Sequence, residues 1–298
     1  MRTLFLLLAL VATDAPASRW SRAEFAGSFT DPELAEVSGL AASRRHRAVY
    51  WAHNDGGNEP MLYAIRADGT RLASLRIAGV ENTDWEDLDS FVLDGKSYLM
   101  VADTGDNGGI REELRLIVVE EPARLDDGQV LQPAWTIRFR WPDGARDCEA
   151  TAVDAAAGRI LLVSKKRVPP ELWDLPLRPG SSEVQVPTRL ATLPGIAQPD
   201  QQQLRRNPVY GRYRSQVSGA DLSANGRVLA VLNYHSVSLY VRQPGQAWAD
   251  ALPGATPDRL DFPWLPQAEA VAFSPDGRSL LIGSEKRPSP LLIFRSIQ

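Results

Sequence analysis

One cysteine and three histidines in 298 residues leave little room for several kinds of chemistry. A lone thiol, Cys148, cannot close an internal disulfide, so stability has to come from packing or from a bound ion. Although Arg146, Asp147 and Glu149 flank it, Cys148 reads as a buried structural residue. Zinc and copper sites draw on histidine and cysteine, which are scarce here. A net charge of −4 lacks the basic field of a nucleic-acid binder. No Gly-x-Ser-x-Gly motif occurs, and Ser38 has no histidine near it in sequence, which disfavours a serine esterase. The one long apolar run, Leu4–Ala12, is too short to span a bilayer.

That run has a different reading. Arg2 precedes it, and Ala15-Pro16-Ala17 supplies small residues before Ser18, the three-part pattern of a signal peptide over residues 1–17. The expectation is a periplasmic or secreted protein with one domain over 18–298. No cysteine sits near the cleavage point, so a lipoprotein anchor is not indicated.

What the chain has in plenty is one unit, repeated. Glu149–Arg167 reads as an apolar strand, a Gly-containing turn, a second apolar strand and a polar cluster. The same order recurs at Glu86–Asn107, Ser218–Ser236 and Glu269–Arg287 and, with a less regular turn, at Glu36–Asn58. Asp94-Gly95, Asn225-Gly226 and Asp276-Gly277 are hairpin dipeptides, since their residues tolerate positive φ. A third strand follows each cluster, beginning at Leu62, Leu114, Leu172, Ser238 and Leu291, and a weaker fourth follows all but the last. Ala23–Phe29 supplies a matching strand at the other end of the chain. Five four-stranded units, the last completed by the first strand, predict an all-β, five-bladed β-propeller, with six blades as the alternative. Residues 196–215, rich in Arg and Tyr, interrupt the pattern as a solvated insertion or a basic, aromatic lid.

In a propeller the first strand of each blade lines the axis, and its start lies on the same face as the end of the second strand. Glu36, Glu86, Glu149, Ser218 and Glu269 open the first strands. Four carboxylates converging on a narrow axis repel one another and resist ionisation. Calcium, which takes six to eight oxygen ligands in flexible geometry, relieves that conflict, and these five residues are the expected metal ligands. Magnesium keeps its waters and fits less well. The second strands close on Asp55, on Asp103, Asp106 and Asn107, and on a basic group, Lys165, Lys166, Arg167, Lys286 and Arg287, with His235 beside it.

Glu-x-Ser-Gly-Leu at Glu36, HNDGG at His53, DWED at Asp84 and DTGDN at Asp103 resemble motifs of exported bacterial phytase-like and esterase-like propellers. The ring of Glu and Ser is similar to that of calcium-dependent apyrases. Those are five-bladed propellers whose central calcium is held by Glu and Ser side chains. The longer strings of a true apyrase are absent, so nucleotide hydrolysis does not carry over.

Acids on one half of the face and cations on the other suit phosphoryl transfer to water. The expected activity is calcium-dependent hydrolysis of a phosphorylated small molecule. Asp55, Asp103, Asp106 and His235 are the candidate catalytic residues, and Lys165, Lys166, Lys286 and Arg287 the candidate ligands of a small anionic substrate. Two rivals stand beside it. One is a non-enzymatic propeller with structural calcium that docks a protein or glycan, and the other is a calcium-dependent lactonase or esterase.

Overall fold

The computed structural model describes residues 19–178, 180–181, 183–287 and 289–297. The expected signal segment, residues 1–17, lies outside them. Five separate sheets account for nearly all the regular structure. Blade one runs outward from Val37–Ala42 through Tyr50–Asn54 and Met61–Ile65 to Arg71–Ile77. Blade two has Trp85–Leu93 innermost, blade three Ala150–Asp154, blade four Val217–Leu222 and blade five Ala268–Phe273. The outermost strand of blade five is Glu24–Phe29, paired antiparallel with Ser289–Arg295, so the two ends of the chain close the ring. This is a five-bladed β-propeller.

The order follows from local chemistry. Asp94-Gly95, Asn225-Gly226 and Asp276-Gly277 sit in the tight turns joining first to second strands, and all three glycines take positive φ. Strands buried on both faces need apolar residues throughout rather than alternation. Val37–Ala42, Ala150–Asp154, Val217–Leu222 and Ala268–Phe273 are buried along their whole length. The core lies between blades. Met100, Leu116 and Phe139 of blade two pack on Ile160, Leu162 and Trp173 of blade three, and four similar clusters fill the other interfaces. Cys148 belongs to the first of these, fully buried, with its thiol pushed up to about 12 by burial.

Two features were not legible in the repeat. Val130–Leu131 adds a fifth strand to blade one, parallel to Arg71–Ile77, and so ties the 121–132 connection back to the preceding blade. Residues 196–215 are ordered rather than structureless. A short helix, Gln201–Arg206, starts from an Asp200–Gln203 capping box, and a 3₁₀ turn follows at Gly211–Tyr213.

Below the mouth of the ring, aspartates bind the innermost strands to one another. Asp87 of blade two accepts the backbone N–H groups of Thr151 (2.7 Å) in blade three and Ala220 (3.2 Å) in blade four. Asp89 accepts the Thr151 hydroxyl (2.6 Å) and the Val153 N–H (3.2 Å), and Asp221 accepts the Phe273 N–H (2.7 Å) of blade five. These strands have a free edge toward the axis, and a buried N–H left without a partner is costly.

Candidate metal centre at the axial mouth

A β-bulge recurs at one place in four of the five innermost strands. Register slips by one residue between Val37 and Gly39, Trp85 and Asp87, Val217 and Gly219, and Ala268 and Ala270. The bulged residues are therefore Ser38, Glu86, Ser218 and Glu269, and in blade three Glu149 directly precedes the first paired residue, Ala150. A bulge re-aims the side chain it carries. Aligned on it, the ring has two tiers. At the bulge stand Ser38, Glu86, Glu149, Ser218 and Glu269; two residues earlier stand Glu36, Asp84, Asp147, Gln216 and Gln267.

Four of the five expected ligands thus occupy the bulge tier, and the fifth, Glu36, belongs two residues upstream. Glu36 is exposed, and its carboxylate accepts from Asn58 Nδ2 at 2.9 Å. Its place in the tier is taken by Ser38. The two serines are engaged between blades: Ser38 donates to the Glu86 carbonyl (2.8 Å) and Ser218 to the Ala268 carbonyl (2.7 Å).

The two D-x-E pairs, Asp84/Glu86 and Asp147/Glu149, build the centre. Oxygens of Asp55, Asp84 and Glu86 lie within 4.8 Å of one another, and so do those of Glu86, Asp147 and Glu149. Glu86 is common to both groups. The ends of the second strands are pinned against the outer tier by a repeated hydrogen bond: Asp55 N–H to Glu36 O (2.8 Å), Gly105 N–H to Asp84 O (3.1 Å), and Glu285 N–H to Gln267 O (2.9 Å). This brings Asp55 into the cluster. It also explains two motif glycines that the backbone alone does not require. A Cβ on Gly56 would overlap the Asp84 carboxylate, and one on Gly105 would overlap both Glu86 Oε1 and Asp84. The HNDGG and DTGDN loops are cut back to make room for carboxylates.

The electrostatics of this cup are strained toward protonation. Burial, then the neighbouring Glu285 and Asp84 charges, pushes Asp55 up to about 6. Burial, then Asp55, drives Glu86 well above the usual carboxylate range. Glu269, across the axis, rises to about 8 through burial and Glu285, which shares Gln267 Nε2 with it. Two lysines answer these acids. Lys165, only 7% exposed, has its ammonium paired with Glu149 and 3.7 Å from Asp147 Oδ2. Asp147 Oδ2 is itself buried and lies 3.0 Å from a second ammonium, that of Lys166.

The other expected site residues fall elsewhere. Asp103 is tied to the Asp84 N–H and to Arg111 (2.8 Å). The Asp106 carboxylate accepts the N–H groups of Ile110 and Arg111 and shapes its own loop. His235 is not at the cup. It accepts from Arg214 at 2.6 Å in a small pocket with Gln198 and Arg259, where burial and the two arginines lower its pKa. Lys166 lies at the rim, bonded to the Asn107 carbonyl (3.1 Å) and paired with Asp147 (3.0 Å). Lys286 and Arg287 are exposed, and Arg287 reaches over to the Asp31 and Pro32 carbonyls. Asp84, Asp147 and Gly105 escaped the residue-by-residue reading, although the twofold D-x-E spacing was there to find them.

No protein-family model matches the chain, and no curated protein matches it. Solved structures do. The chain is similar to the WD40 repeats of RRP9 (15% identity, TM-score 0.39, covering 86% of this chain and 66% of that one). It is similar also to U3-55K (16% identity, TM-score 0.39, 86% and 67%). The chain thus spans about two thirds of each. The ring rests on the strand topology above, and neither likeness bears on function.

Proposed function

We propose that the chain is a calcium-binding β-propeller that hydrolyses phosphorylated small molecules at its axial mouth. The observation that carries this reading is the glycine-cradled cup formed by Asp55, Asp84, Glu86, Asp147 and Glu149. The donors fit the ion: all are oxygens, and they come from three blades. Bound there, calcium would neutralise substrate oxygens and acidify a water. Beside the cup, Lys166 and Arg167 line a cleft, and although each is already paired, with Asp147 and with Asp143, they put positive charge where a phosphate would approach the ion. The resemblance to phytase-like propellers points the same way, and export is part of the same proposal.

A second reading has an observation of its own. Ile110 and Trp264, 81% and 82% exposed, stand with Val168 and Tyr210 on loops of this same face. Strand order puts these exposed apolar side chains at the mouth, where they would anchor a docking partner, which suits a propeller whose calcium is structural. Thermal melting after chelation, then with calcium or magnesium, together with a phosphomonoester screen, separates the readings. The hydrolase predicts a calcium-specific rise in Tm and calcium-dependent phosphate release that Glu86→Gln abolishes. A stabilised but inert protein selects docking, and no response to either ion removes both.

A further inference from the structure

We infer that Lys165 occupies the cation position of the cup in the metal-free chain. On this inference calcium entry expels its ammonium into the adjoining cleft, which then becomes a subsite for a phosphate-like anion. The inference rests on the calcium reading above and adds a displaced residue and a ligand class to it.

Three observations carry it. Lys165 is a buried lysine whose partners, Glu149 and Asp147, are themselves members of the carboxylate cup. It therefore does electrostatically what a bound ion would do. A divalent ion at the same spot attracts each carboxylate twice as strongly, and like charges cannot share so small a space. Second, the ammonium has somewhere to go. A cleft of about 370 Å³ opens between the blade-two and blade-three loops, lined among others by Asp106, Asn107, Asp147, Ser164, Lys166 and Arg167. Asp147 belongs to both cup and cleft, so the ammonium needs to pass only one carboxylate, and its four-carbon stem is flexible. Third, the cleft by itself is a poor anion site. Lys166 spends its ammonium on Asn107 and Asp147, Arg167 pairs with Asp143 at 3.3 Å, and Arg146 is stacked over Trp141 and Trp173. A fourth, unpaired cation changes that balance in favour of an anion. Calcium and anion binding are then coupled, each strengthening the other by the same factor.

The test is calorimetric titration of the purified chain with calcium, then with methylphosphonate, a phosphate mimic that does not turn over. Lys165→Met is run beside wild type. Lys165→Gln, which keeps a polar partner for Glu149, serves as the second variant should the first fail to fold. The expected result is methylphosphonate binding to wild type only when calcium is present. Both variants should bind calcium at least tenfold more tightly than wild type, while calcium-loaded variants bind methylphosphonate at least tenfold more weakly. Calcium affinity unchanged or weakened in the variants overturns the displacement while leaving the calcium site standing. Equal methylphosphonate affinity in wild type and variants overturns the subsite. Calcium binding by the variants but not by wild type supports Lys165 as occupant and fails the calcium reading for the native chain. No binding by any of them fails both.

Discussion

Gly105→Ala puts one methyl group where the structure leaves no space. The added carbon would overlap Glu86 Oε1, of both triads, and the Asp84 carboxyl, of one. Gly105 does not need positive φ, so the backbone tolerates alanine, and restricting the unfolded chain contributes about 0.4–1 kcal/mol in its favour. Overpacking a buried site costs about 1–3 kcal/mol. The balance is a loss of about 1–2 kcal/mol, or a few degrees in Tm for a chain of this size. Metal affinity suffers more, because relief comes by swinging a carboxylate away. A weakening of at least about tenfold in calcium Kd, some 1.4 kcal/mol, is expected. Gly180→Ala is the control, since a methyl there meets nothing within 4 Å. Calorimetry and melting with and without calcium read both quantities. Calcium affinity equal to wild type in Gly105→Ala would refute the cradle.

Other outcomes follow from the same geometry. Asp87→Ala leaves the Thr151 and Ala220 N–H groups without their acceptor and should cost about 3 kcal/mol or more in urea unfolding, with calcium affinity little changed. Ser218→Ala removes the bond to the Ala268 carbonyl and should lower stability by about 1 kcal/mol without weakening calcium, which would place the serine among blade ties rather than ligands. For the chelated protein, Asp55, Glu269 and Asp89 hold folded-state pKa values of about 6, 8 and 8, above their unfolded values. The folded state then binds more protons, so stability falls as pH rises from about 4 toward 8, by up to about 1.4 kcal/mol per pH unit for each group. Melting at pH 5.5 and 8 should show the chelated protein less stable at pH 8, and a chelated protein more stable at pH 8 would contradict the burial of these acids.

The ring was legible because each unit repeats a chemical sequence, apolar strand, turn, apolar strand, polar cluster, with an Asx-Gly turn in three of the five, and because Glu24–Phe29 matches the strand the last unit lacks. The site was legible only in part. Glu86, Glu149 and Glu269 stood at the start of their strands in plain view. Glu36 looked equivalent to them because counting from the first acid hides a bulge, and only strand register reveals that Ser38 holds the matching place. Lys165 read as a substrate ligand because sequence shows that a lysine ends the strand but not that it turns inward to Glu149. Asp103 and Asp106 read as candidate catalytic residues because their partners, Arg111 and the backbone of their own loop, are set by loop conformation rather than by residue type. His235 sits at the expected strand end, yet the 196–215 insertion captures it through Arg214.

Glu86 is the residue common to both carboxylate groups, and calcium titration of the chelated protein beside Glu86→Gln tests the central claim most directly. The expected result is a saturable calcium site in wild type, weakened at least about tenfold by removing that one charge. Absence of calcium binding in wild type, or equal affinity in the two proteins, would contradict it.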